Sequence, residues 1–176
     1  MRFPLLFLPF LAACGSIVPE TARQLSGLDP LTADPAGFAV TLALPEGYGI
    51  QPGGAEVSLT VENPGLGEAG GLWALEETTD GTGNQSYRFA EADLDEVRRV
   101  QATASAWESS DPDGTQGSLS VSVDPCRMAG AAPDDDPRVS VFLAVLPGAP
   151  MAPLVRNAPL AEVMSDQDRA ALPDCP

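Results

Sequence analysis

Side chains able to do chemistry are few in type here, and most of them are carboxylates. The 176 residues hold 25 Asp and Glu against nine Arg, with no Lys and no His. Without histidine there is no Ser-His-Asp triad, no Cys-His pair and no imidazole metal ligand; without lysine there is no Schiff-base amine. A carboxylate pair such as glycoside hydrolysis uses is conceivable among Glu76, Glu77 and Glu108. So dense a set of acids brings some pair together by chance, so no residue is assigned a catalytic role and the chain is expected not to be an enzyme. Trp73 and Trp107 could stack on sugar rings, but tryptophans at such spacings are more often core or sheet-face residues.

Three further patterns are weak. Gly65-Leu66-Gly67-Glu68-Ala69-Gly70 has the spacing of a dinucleotide fingerprint. That site needs a helix next, and "GLWALEE" reads as a strand, while Glu68 would repel phosphates; a loop is the better reading. Asp80-Gly81-Thr82 and Asp113-Gly114-Thr115 begin like calcium loops but lack the distal glutamate. Asp134-Asp135-Asp136, between two prolines, reads as a solvated loop. No metal ligand and no cofactor-binding residue is assigned, and no cofactor is expected.

The cysteines say more. Met1-Arg2 is followed by an apolar run, Phe3 to Ala13, which ends on Cys14. Eleven residues are too few for a membrane-spanning helix, which needs about 20; a basic start, a short apolar stretch and small residues at its end are the layout of an export signal. The ending Leu11-Ala12-Ala13-Cys14 resembles the lipobox of bacterial lipoproteins. The resemblance implies cleavage before Cys14 and lipidation of its thiol with a diacylglycerol. It also implies a protein held in the cell envelope by its N-terminal lipid and facing the periplasm. Since Gly15 is not the aspartate that retains such proteins at the inner membrane, the outer membrane is implied where there are two. With Cys14 assigned to lipid, Cys126 and Cys175 remain, in a compartment where disulfides persist. They are expected as a structural staple, with two free thiols as the alternative; no Cys-x-x-Cys spacing suggests redox work.

The formal net charge of −16 becomes one step more negative once Arg2 leaves. Such a surface repels nucleic-acid phosphates and anionic head groups, so the membrane is met through the lipid and nucleic acid is excluded as a partner. Two function classes remain. One is a structural, accessory or interaction component bound to another envelope protein. The other is a binding protein that captures a cation, a metal or a cell-wall fragment through its acidic surface.

These expectations need elements to carry them. The chain divides into a signal peptide (1–13), a lipidated N-terminus and tether (14–36) and a single globular domain (37–176). The tether contains at most a helical turn near Thr21 to Leu25 and spans about 25 Å on average. Period-2 alternation marks strands at Phe38–Leu44, Ala55–Glu62 and Ser118–Val123. "LWALEE" and "SYRF" flank a turn-rich stretch that suits a hairpin. Arg138 to Leu146 is almost wholly apolar and is expected as a central strand buried on both faces. "PLVR" (Pro153 to Arg156) follows as a short segment, then a helical stretch near Ser165 to Leu172. One helix is expected where Leu94, Val97, Val100, Ala104 and Trp107 form a stripe, with Asp93 and Glu96 as a capping box and Asp95–Arg99 as an ion pair. The reading is α+β: an antiparallel sheet or sandwich of six to seven strands with one long helix packed on it.

Overall fold

Alternating apolar and polar residues lay down most of the architecture. In the computed structural model, which describes residues 16–26, 29, 31–79, 84–130 and 136–176, seven strands form one curled antiparallel sheet. They are β1 (Phe38–Ala43), β2 (Tyr48–Asn63), β3 (Gly67–Thr79), β4 (Gln85–Phe89), β5 (Gln116–Arg127), β6 (Arg138–Val145) and β7 (Ala152–Pro159). Their spatial order is β5-β2-β3-β4-β1-β6-β7. The helices are α1 (Pro19–Ser26), α2 (Leu94–Ser110), α3 (Leu160–Val163) and α4 (Asp166–Ala170). The fold is therefore α+β and mostly sheet.

Cross-strand register puts one apolar set on the concave face. Phe38, Val40 and Leu42 of β1 stand opposite Val145, Leu143 and Val141 of β6. Val57 of β2 lies between Trp73 of β3 and Val121 of β5. A period of two then commits every second residue of each strand to the same side. The core formed there also includes Leu59, Leu75, Tyr87 and Phe89, and α2 contributes Val97 and Val100.

Asn63 ties the β2–β3 hairpin to the end of α2. It is buried; its Oδ1 accepts from the Gly65 and Leu66 amides at 2.9 and 3.1 Å, and its Nδ2 donates to Asp111 Oδ2 and Thr115 Oγ1, each at 3.0 Å. Asp111 in turn accepts from the Gly114 amide at 3.1 Å, which ends the helix and turns the chain. Gly65 to Gly70, with the fingerprint spacing, thus form a tight turn and the start of β3. Gly67, at φ +114°, and Gly70, where a Cβ would lie 2.6 Å from the Leu59 carbonyl oxygen, are needed for backbone geometry.

Helix α2 presents the expected stripe, with Val97, Val100, Gln101 and Ala104 buried and Leu94 and Trp107 half-buried. Its N-terminus differs from expectation. Asp93 is already in the helical region and makes no cap hydrogen bond, because a 3-10 turn at Glu91–Asp93 leads into the helix. Glu96 accepts from Trp73 Nε1 at 3.3 Å instead of closing a capping box. Asp95 pairs with Arg98, at 3.2 Å, and not with Arg99 as spacing suggested; Arg98 also reaches Asp34 at 3.0 Å.

Two other segments depart from the sequence reading. The stretch expected as a tether is docked where it is described: the Val18 amide donates to the Leu154 carbonyl at 2.9 Å and the Arg156 amide to the Ser16 carbonyl at 2.8 Å. Ile17 bridges Val155, and Thr21 on α1 is buried. β7 offers an open edge there, and backbone groups satisfied against it hold the segment down. Strand β6, expected to be buried on both faces, buries only Val139 and Ala144; its other apolar residues are half-covered. One of its faces lines an open cleft.

Candidate functional site: an apolar cleft on the concave face

Curling brings the two ends of the sheet toward each other without closing it, and leaves a cleft of about 540 Å³. Its floor is the inner face of the central strands: Val40, Val57, Leu59, Trp73 and Phe89. One wall is β5, with Leu119, Val121 and Val123; the opposite wall is β6 and β7, with Val141, Leu143, Val145 and Leu154. Leu25 of α1 and Val97 and Gln101 of α2 close one side.

Exposure shows where the cleft opens. Val57 is 2% exposed, yet its neighbour on the same face, Val121, is 47% exposed, and Leu119 reaches 51%. Large apolar residues on the inner face of a sheet are ordinarily covered, so their exposure here marks a mouth along β5.

Polar groups are scarce in the lining, and those present are engaged. Asp34 accepts from the Ala36 amide at 3.1 Å and from Arg98 at 3.0 Å. The backbone amide first, and then the guanidinium, holds its carboxyl below the usual carboxylate range. Gln101 donates to the Ala33 carbonyl at 2.9 Å. Trp73 is 4% exposed and packs edge-on against Phe89, with ring centroids 6.1 Å apart. It is a floor residue with a hydrogen-bonded indole, not a platform open to sugars; Trp107 sits half-buried on α2.

The acidic candidates do not converge on this cleft. Glu76 and Glu77 are exposed and consecutive on β3, so they point to opposite faces; Glu77 accepts from Gln85 at 3.1 Å. Glu108 is exposed near the end of α2 and, with Asp29 and Thr115, borders a separate pocket of about 240 Å³. Asp113-Gly114-Thr115 forms the helix stop described above. Asp80–Gly83 and Asp134-Asp135 lie outside the described residues, and Asp136 bonds to Arg138 at 2.6 Å. Among the described residues no group of three or more metal-ligating side chains comes together.

Of the cysteines, Cys126 and Cys175 form a disulfide, with Cα atoms 5.0 Å apart and a sequence separation of 49. Backbone pairing surrounds it: the Arg127 amide donates to the Pro173 carbonyl and the Cys175 amide to the Arg127 carbonyl, each at 2.8 Å. The staple sews the last residues to the end of β5. Cys14, with the rest of Leu11–Gly15, lies outside the described residues.

The cleft itself was not visible in sequence. A hint lies in the uncharged runs that supply its two walls, Gln116–Val123 and Val139–Val155, in a chain otherwise rich in acids. Alternation there says which residues share a face but not that the face is left open. Comparison with protein families, with curated proteins and with solved structures finds no match for this chain.

Proposed function

We propose that this chain is a lipid-anchored protein of the cell envelope, facing the periplasm, that acts by binding and not by catalysis, as an accessory or interaction component alongside another envelope protein. Attachment is through a lipid on Cys14, in the outer membrane where there are two. The observation that carries the binding role is the cleft: its walls are aliphatic and aromatic, and Asp34 and Gln101, its polar side chains, are already hydrogen-bonded. Such a site has shape and apolar area to offer a partner but no poised nucleophile or base. A disulfide fits an oxidising compartment, and the net charge of −16 argues against nucleic acid.

Two experiments test this reading. Cys14→Ser is expected to move the protein out of the membrane fraction; retention after a high-salt wash would refute the anchor. Crosslinking in intact envelopes is expected to trap one recurring neighbour, whereas a scatter of abundant proteins would count against an interaction role.

A ligand-binding role is the second reading, and the cleft shifts its chemistry. An apolar cavity favours a hydrophobic ligand over the cation, metal or cell-wall fragment that an acidic surface would attract. A thermal-shift panel spanning divalent metals, glycans and neutral lipids separates these, with stabilisation expected from the lipids alone.

A further inference from the structure

We propose that the cleft shelters one acyl chain of the lipid carried by Cys14, an inference that rests on the lipid-anchor reading above. The chemistry of the lining selects the class of occupant. Asp34 and Gln101 are the polar side chains of the lining, and each is already hydrogen-bonded within the protein, while the other lining residues are aliphatic, aromatic or proline. A peptide or a sugar entering it would leave its own donors and acceptors unpaired against apolar walls. An unbranched aliphatic chain has none to leave. The volume, about 540 Å³, falls within the range of about 300–1,000 Å³ that small-molecule sites occupy.

The point at which the chain enters the structure selects the source. Ser16 and Val18 are hydrogen-bonded along the outer edge of β7, and the residue that receives the Val18 amide, Leu154, also lines the cleft. Cys14 is two residues before Ser16, so no more than about 7 Å of backbone separates them. A lipid on that thiol is thus delivered beside one wall of the cleft, at an effective concentration that a freely diffusing lipid does not match. The opposite wall, with Val121 and Leu119 half-exposed, leaves the way in open. Of the two chains of a diacylglycerol, one then lies in the protein and one in the bilayer. A single chain holds a protein at a membrane only reversibly, so occupancy of the cleft sets how firmly the protein is attached.

Photo-crosslinking of the full chain in a bacterial host tests this. Cells are fed a fatty acid bearing a diazirine near its terminal methyl, membranes are irradiated, and the purified protein is reduced, cleaved at arginine and analysed by mass spectrometry. The expected result is a crosslink from the acylated peptide that begins at Cys14 to the peptides that carry β5 or β6. Val121→Asp, at a position already half-exposed, is expected to lower its yield at least fivefold while leaving acylation of Cys14 unchanged. An acylated Cys14 peptide crosslinked to membrane lipids alone overturns the proposal. So do cleft peptides carrying a whole phospholipid, which would make the ligand a free lipid. A Cys14 peptide without any acyl group fails the anchor reading itself, and is told apart by its mass.

Discussion

The two edges of the sheet are finished in different ways. On the outer side of β7, Ser16 to Val18 add a short antiparallel pairing, and α1 follows directly. On the outer side of β5, among the described residues, pairing occurs only at the far end, where Arg127 meets Asp174 beside the disulfide. From Gln116 to Val123 that strand carries neither charge nor proline, the devices by which sheet edges usually discourage further pairing. One edge is thus covered by non-covalent backbone pairing, and the other is pinned at a single point and otherwise bare. The difference teaches how the cleft mouth stays open: β5 is held on its inner side by pairing with β2 and at its end by the disulfide, so it stands away from β7 with its outer edge unpaired over Gln116–Val123 among the described residues.

The comparison is broken most severely by removing the pin. Cys126→Ala with Cys175→Ala should cost about 4 kcal/mol, the chain-entropy value for a closed loop of this length. Urea unfolding measures it; a loss below about 1 kcal/mol would mean that pairing around Arg127 suffices without the disulfide.

Tyr87 offers a reference at the middle of the sheet, on β4, with three strands on either side. Its hydroxyl is buried without a hydrogen-bond partner. Burial, assisted by the charge of Glu77, pushes its pKa up to about 12 from the usual 10. The fold favours the protonated phenol, so this contribution is intact below pH 10 and is lost as pH rises from 10 to 12, amounting to about 2–3 kcal/mol. Tyr87→Phe should remove that alkaline drop and at neutral pH leave stability equal, or up to about 1 kcal/mol higher. Unfolding curves at pH 7 and 11.5 read both. If β5 amides lose exchange protection at alkaline pH before β4 does, the bare edge melts independently of the centre.

Smaller effects separate the edges themselves. Val18→Pro deletes the amide that donates to Leu154 and should cost about 1 kcal/mol, with faster proteolysis after Arg23 and unchanged exchange in β5. Equal loosening of both edges would show that they are coupled. Val121→Lys, on the bare edge, should change stability by no more than about 0.5 kcal/mol, since the side chain is already half-exposed. It should nonetheless reduce self-association, followed by light scattering at rising concentration.

Much of the sheet was legible because alternation is a property of the strand alone. Val57, Leu59 and Val61 announce their shared face whatever lies opposite. The stripe on α2 was legible for the same reason, at a period of 3.6. What escaped depended on partners distant in sequence. Glu96 is free to cap only if Trp73, on another element, does not claim it. Arg98 takes Asp34, 64 residues away, together with Asp95, leaving the predicted partner Arg99 out of that pairing. Residues 16–26 look like linker because their docking comes from the edge of β7 and not from their own pattern. The cleft was hidden most completely: Leu119, Val121 and Val123 read as ordinary core, and only the incomplete closure of the sheet exposes them.

The strand order has a consequence in time. β2 takes β5 as one neighbour, β1 takes β6, and the disulfide joins residues 49 apart, so much of the pairing awaits the last third of the chain. Loop-closure entropy makes such distant pairings slow compared with the local β2–β3 hairpin or with α2. A polypeptide emerging N-terminus first would therefore leave one side of β1 and of β2 unpaired until β6 and β5 have followed. Covalent closure of Cys126 with Cys175 waits on the same distant segments.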